Sequence, residues 1–326
     1  MSFGLRSKTL IDSIENPSFV IASHDDSRIY SLEETDTENG GQVMAYLWDG
    51  DKLQIQASSP TFGGAPCYLA LSPQEEFLVA ANYSGGNLSI YKTGEDASLQ
   101  FLQTLAHSGS SIDKSRQEKS HVHSTVFSPS GERLLVADLG TDKIYIYQVD
   151  PTSEQPLSLE TSLEMTPGDG PRHIIFSPDA KEMVVLAELT GLLKVYSYDS
   201  SGEIKFKQEL SLFPEGFQGQ NGAAELRFSP NGQNIYASNR GDANSLSVFS
   251  KTASGSYEKI QEIPSGGIMP RNFNLTKDGK YLLSAHQASN DVIVFERDLT
   301  TGSLRKTDWK ISLHKPVYLY RLDDQL

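Results

Sequence analysis

One block of about seventeen residues recurs along the chain, and that repetition limits the possible folds more than any other feature. Clear copies read YLALSPQEEFLVAANYS (68–84), STVFSPSGERLLVADLG (124–140), HIIFSPDAKEMVVLAEL (173–189) and ELRFSPNGQNIYASNRG (225–241). Diverged copies read FVIASHDDSRIYSLEET (19–35) and NFNLTKDGKYLLSAHQA (272–288), and KPVYLYRL (315–322) has the form of a further beginning. Each copy is an apolar run, a short turn carrying Pro, Asp, Asn or Gly, and a second apolar run, which is the pattern of two antiparallel strands. A third strand with alternating polarity follows, as in NLSIYKT, DKIYIYQVD or SLSVFSK, and then a weaker fourth such as SLQFLQTLA. No segment keeps a helical period.

Four short antiparallel strands per period of 46 to 56 residues is the sequence form of a β-propeller blade. The expectation is therefore all-β: one domain, 1–326, built as a seven-bladed propeller of four-stranded blades, the last shared between the termini. Pro316 to Leu322 would give that blade its inner strand and the N-terminus its outer ones. Only 16 residues precede Pro17, too few for three strands, so that blade is expected to be incomplete or the sequence to begin late.

The acidic balance, 28 Lys and Arg against 42 Asp and Glu for a net −14, argues against nucleic acid and against anionic lipid. A single cysteine, Cys67, excludes an intramolecular disulfide and a cysteine metal cluster. The N-terminus lacks the apolar core of a secretory signal, and no apolar run reaches the roughly 18 residues of a membrane span. The chain reads as a cytoplasmic monomer or homodimer, with no membrane or nucleic-acid partner and no cofactor or metal.

The phase of the repeat points to where chemistry would sit. The first residue of strand one and the last of strand two lie at the same end of a hairpin. The strand-one column is Ser18, Cys67, His123, Arg172, Ala224, Arg271 and Val317, and the strand-two column is Glu34, Tyr83, Leu139, Glu188, Arg240 and Gln287. Neighbours add Asn82, His121, Asp138, His173, Asn239 and His286. In a propeller both columns open on one mouth of the central channel. Charges are costly to bury unless paired or wet, so arginines, glutamates and histidines in such a ring imply a polar pocket for a small anion. Arginine suits phosphate or carboxylate, and His123 or Glu188 suits activation of water.

Structural alternatives stand beside each residue. Arg172 could pin strands by pairing with Glu188; Arg240 and Arg271 could link blades; His123, His121 and His173 could be structural hydrogen-bonders. Asp138 reads as a turn cap and Cys67 as packing. His121 and His123 lack a third ligand of defined spacing, which speaks against a metal. The run KSRQEK (114–119) lies in the longest insertion and reads as a solvated loop or a flap.

The runs HVHSTVFSPSGERLLVADLGTDKIYIY, GPRHIIFSPDAKEMVVLAELTGLLKVY, AAELRFSPNGQNIYASNRGDANSLSVF and MPRNFNLTKDGKYLLSAHQASNDVIVF resemble the seven-bladed lactonase family. That family holds the propeller-type 6-phosphogluconolactonases and the fungal carboxymuconate-lactonising enzymes, and the resemblance runs from Asn16 to Leu322. The usual opening strands of the family are missing here. The muconate branch implies a His, two Arg and a Glu, which fall by motif on His123, Arg172, Arg240 and Glu188.

The resemblance implies a metal-independent lactonase for a small anionic lactone or sugar phosphate, with 6-phosphoglucono-1,5-lactone as the expected substrate. His123, Glu188, Arg172 and Arg240 are the candidate catalytic residues, and Arg271, His173, Asn239, Gln287 and Tyr83 the candidate substrate-binding ones. The rival readings are a carboxymuconate-type cycloisomerase, a non-catalytic interaction propeller and a calcium-dependent sugar lactonase.

Overall fold

A computed structural model describes residues 13–37, 39–49, 52–214 and 216–322. They form six four-stranded sheets in which strands adjacent in sequence are adjacent in space. The second sheet is typical: Pro66–Leu71, Phe77–Asn82, Asn87–Thr93 and Leu99–Ala106 pair antiparallel in that order. Among the described residues no helix is long and apolar enough to cross a membrane.

The residues fall into two compact units, one ending at Arg172 and one running His173–Arg321. In the first unit Phe77, Val79, Leu88 and Ile90 of the second sheet pack on Val122, Phe127, Leu134 and Val136 of the third. In the second unit Val184, Leu186 and Val195 pack on Leu226, Ile235 and Phe249, and Tyr236 and Val248 pack on Phe273 and Phe295. Fully burying each such side chain stabilises by about 1.5–3 kcal/mol. Second strands such as Phe77–Asn82 and Glu182–Ala187 are buried throughout, whereas fourth strands such as Leu99–Ala106 bury no residue fully and expose Gln100, Phe101 and Ala106. The apolar second runs and weak fourth runs of the sequence follow from that gradient.

The recurring Ser-Pro has a local cause. The hydroxyl of the turn's first residue accepts a backbone N–H five positions on: Ser72 from Phe77 (3.0 Å), Ser128 from Arg133 (3.1 Å), Ser177 from Glu182 (2.9 Å) and Ser229 from Asn234 (2.9 Å). Ser23 and Thr276 do the same in the diverged copies, to Arg28 at 3.0 Å and Tyr281 at 3.1 Å. A side-chain oxygen thereby satisfies a turn donor. Three residues after each hydroxyl the backbone is left-handed, at Asp26, Glu75, Gly131, Ala180, Gly232 and Gly279.

The expected seventh blade is not formed by the described residues. Residues 316–322 pair with no strand. Side-chain amides bind their main chain instead: Leu319 N–H donates to Asn272 Oδ1 (2.8 Å), and Asn274 Nδ2 donates to Leu319 O (3.0 Å). The Arg321 guanidinium adds a bond to Leu275 O at 3.2 Å. The N-terminal share of that blade was expected from residues that include 1–12, which lie outside the described residues.

Candidate active site

The hairpin ends carry a repeated irregularity. In the second sheet Pro66 pairs with Asn82 but Tyr68 pairs with Ala81, so Cys67 is an extra residue in the ladder. The same slip leaves His123 extra between Val122 and Ser124, and Arg271 between Pro270 and Asn272. Ser18 and Phe19, and Ala224 and Glu225, lie in the corresponding slips of the first and fifth sheets. A β-bulge bends its strand and re-aims the extra side chain, and bulges are frequent beside active sites. Ser18, Cys67, His123, Ala224 and Arg271 of the strand-one column therefore lie at bulges. Its partner column sits one residue beyond strand two, where Tyr83, Leu139, Arg240 and Gln287 donate backbone N–H to Ala65, His121, Gly222 and Met269 at 2.9, 2.9, 3.1 and 3.0 Å.

In the unit that ends at Arg172, the structure brings Tyr83 and His123 together. The phenol ring meets the His123 imidazole edge-on at 5.4 Å and stacks on His121 at 4.5 Å. His123 is buried; its Nδ1 lies 3.9 Å from Cys67 Sγ, and the thiol donates to His123 O at 3.3 Å. Cys67 thus packs against the candidate base rather than standing as a nucleophile of its own. His121 Nδ1 lies 3.1 Å from Tyr83 O and its Nε2 lies 3.1 Å from Glu118 Oε1. Asp138 organises the approach to these rings as the sequence suggested. It accepts from the His121 N–H (2.8 Å), the Ser120 hydroxyl (2.6 Å) and the Gly140 N–H (3.1 Å), and it lies 3.0 Å from His107 Nδ1. Burial works to raise its carboxyl, but the His107 and Ser120 bonds outweigh it and hold the group below the usual range. Arg172, closing this unit, is buried.

In the unit His173–Arg321, Glu188 and Arg240 meet. Each follows the second strand of its sheet, and Glu188 Oε1 lies 3.1 Å from an Arg240 terminal nitrogen, with both side chains largely buried. Arg240 Nε also donates to Gly222 O at 2.9 Å. Asn239 is fully buried and accepts the Gly222 N–H at 2.9 Å, which ties down the loop leading to Ala223. Arg271 is half-buried at its bulge, and Gln287 is held beside it through the bond to Met269.

His173, also buried, lies with Nδ1 3.4 Å from Glu225 Oε1. Glu225 belongs to a polar cluster: Arg227 is 3.8 Å away, Asn272 Nδ2 donates to its other oxygen, and the Leu226 N–H donates at 3.0 Å. Burial works to raise the Glu225 carboxyl, yet Arg227 and His173 hold it down at about 2.

Two contributors escaped the column reading. Glu225 is the second residue of a two-residue slip, one step past Ala224. Arg116 comes from the long insertion and donates to the Tyr83 hydroxyl at 3.3 Å. The other copies of the repeat hold no equivalent of it, and only its basic character marked it. Among the described residues, no three His, Cys, Asp or Glu side chains group closely enough to hold a metal ion.

These features define an all-β chain of repeated four-stranded antiparallel blades with charged and imidazole side chains gathered at bulged hairpin ends. The family model described as "Lactonase, 7-bladed beta-propeller" matches residues 3–320, and the chain belongs to that family of lactonases. A relative from Formosa agariphila named 6-phosphogluconolactonase is 31% identical over 303 residues, covering 91% of this chain and 85% of its own. A candidate 6-phosphogluconolactonase from Bacteroides fragilis has a crystal structure that superposes with a TM-score of 0.89 at 34% identity, covering 95% of this chain and 88% of its own. The periplasmic gluconolactonase of Pseudomonas aeruginosa superposes with a TM-score of 0.87 at 32% identity, covering 92% and 86%. The family is described as seven-bladed, and six blades are formed by the residues described here.

Proposed function

We propose that this lactonase is a cytoplasmic 6-phosphogluconolactonase, a single propeller domain that hydrolyses 6-phosphoglucono-1,5-lactone to 6-phosphogluconate. The observation that carries the reading is the Glu188–Arg240 pair: equivalent positions of successive sheets place a carboxylate and a guanidinium in contact at 3.1 Å. The names of the similar proteins from Formosa agariphila and Bacteroides fragilis supply the substrate.

In this reading His123 takes a proton from water as the water oxygen attacks the lactone carbonyl. Its engagement with Arg240 makes Glu188 the weaker choice for that task and the group that orients Arg240. Arg172 and Arg240 stabilise the negative charge that develops on the carbonyl oxygen. Collapse of the tetrahedral species breaks the bond to the ring oxygen, which takes up the proton from His123 and leaves as the C5 hydroxyl. The product is a carboxylate, so one proton is released to solvent. Arg271, with His173, Asn239, Gln287 and Tyr83, completes the binding surface for the anionic substrate.

The test is loss of freshly prepared 6-phosphoglucono-1,5-lactone above its spontaneous hydrolysis, with a muconate substrate assayed in parallel. His123→Ala is expected to lower kcat about 10²- to 10⁴-fold, the usual contribution of a general base. A wild-type protein that fails to accelerate the hydrolysis overturns the proposal, and consumption of the muconate chromophore instead replaces it with the cyclising reaction.

A further inference from the structure

A buried imidazole joins the second sheet to the third by contacts that the repeat itself does not require. His107 follows the last strand of the second sheet, Leu99–Ala106, and its N–H donates to Gly86 O at 2.9 Å. Thr61, Met165, Leu212, Ser265 and Leu313 stand at the same position of the other sheets and make a main-chain bond of the same kind. That tie needs no imidazole. The His107 side chain is nonetheless 2% exposed, with Nδ1 3.0 Å from Asp138 Oδ2. Its Nε2 lies 2.8 Å from the Tyr147 hydroxyl, and its ring stacks on Tyr145 at 3.8 Å.

Asp138 carries the same excess. It ends the second strand of its sheet, as Asn239 does in the fifth. Asn239 Oδ1 accepts the N–H of Gly222, two residues before Ala224, at 2.9 Å. Asp138 Oδ1 accepts the N–H of His121, two residues before His123, at 2.8 Å. A neutral amide is thus enough to hold the entry of a first strand. The carboxylate adds a second oxygen, which takes the Ser120 hydroxyl at 2.6 Å and faces the His107 ring. Asp138 has no exposed surface, and a buried charge is stable only where such partners surround it. Asp138 also stands opposite the bulge: Ala137 pairs with Ser124 and Asp138 with Val122, which leaves His123 over. Its grip on the His121 N–H lies directly before that slip, and a ladder that slips by one residue turns its side chains to the other face.

We infer that His107 is a positioning residue: through Asp138 it locks the bulged register that aims the His123 imidazole. The inference rests on the lactonase reading above, which gives His123 the proton. Every residue it uses for that lock, from Gly86 to Tyr147, lies in the unit that ends at Arg172.

The experiment is a double-mutant cycle on hydrolysis of 6-phosphoglucono-1,5-lactone, with His107→Phe, His123→Ala and the two combined, and a thermal melt of each protein. A displacement of the order of 1 Å can cost about 100-fold in turnover. His107→Phe is expected to lower kcat about 10- to 100-fold with KM little changed. Added to His123→Ala it should cost nothing further, because the residue it positions is already gone. His107→Asn, whose amide nitrogen takes the place of Nδ1 and can still donate to Asp138, should recover most of kcat. Where His107→Phe melts below the assay temperature, Asp138→Asn carries the same cycle with the same expected fall. If kcat is unchanged, or falls by the same factor with and without His123, the inference is overturned while the lactonase proposal stands. If the wild type does not hydrolyse the lactone at all, the proposed function is overturned and this inference with it.

Discussion

Glu188 and Arg240 stand at the same position of successive blades, each one residue past a second strand, and their side chains meet at 3.1 Å. The contact turns a repeat of sequence into a convergence of unlike charges. Glu188→Gln removes one charge of a largely buried pair and leaves Arg240 without that carboxylate, a change that typically destabilises by about 3–5 kcal/mol. The expected outcome is a fall of at least about 100-fold in kcat, together with a lowered midpoint of thermal unfolding. Arg240→Lys keeps the charge but loses the planar fork, and should recover stability better than turnover. Steady-state kinetics beside a melting curve separates the two effects.

Glu225 sets an acid limit on stability. Its carboxyl is held at about 2 in the folded chain, against 4.5 as its ordinary value. A depressed folded value means the unfolded chain binds the proton more tightly. The contribution is therefore complete above about pH 4.5 and is lost as pH falls toward 2. Denaturant midpoints measured from pH 6 down to 3 should decline over that window, and Glu225→Gln should decline less steeply from a lower starting point.

His286 acts in a separate window. The ring is fully buried and lies 3.0 Å from Asp291, and desolvation lowers its affinity for a proton despite that carboxylate. Here too the unfolded state takes the proton first, so stability is complete above about pH 6.5 and falls as the medium becomes more acidic. Comparing unfolding free energies at pH 7.5 and 5.5 for wild type and His286→Gln should show a smaller pH effect in the variant.

The turn of each hairpin offers a matched pair. Ala180 has φ 58 and Gly232 has φ 69 at equivalent positions of successive blades. A side chain in that region costs about 1 kcal/mol, and a built Cβ at Gly232 would also press on Pro178 Cδ at 3.3 Å. Gly232→Ala should lose about 1 kcal/mol of stability, and Ala180→Gly should gain about 0.5 kcal/mol after the greater freedom of glycine in the unfolded chain is counted. Chemical denaturation resolves both signs.

Much of the architecture was legible because the hairpin's requirements are local. A hydroxyl must stand five residues before the donor it binds, so Ser23 and Thr276 mark diverged copies as surely as Ser72 marks a clear one. His123, Glu188 and Arg240 were legible because strand phase places them at hairpin ends. The bulges were not, since one extra residue in a ladder leaves no compositional trace. Glu225 was hidden by that same slip, and Arg116 by lying in an insertion with no counterpart in other copies. KPVYLYRL was read as a strand because it has the form of the start of another copy of the repeat. Its main chain is instead bound by Asn272 and Asn274, whose amides resemble ordinary strand polarity in sequence.

The hydroxyl clasps carry a consequence for how such a chain arises. Every corner closes using atoms from its own five or six residues, so a duplicated segment would already know how to bend before any neighbour formed. Selection could then alter what the corners present to a substrate while leaving the instructions for bending untouched.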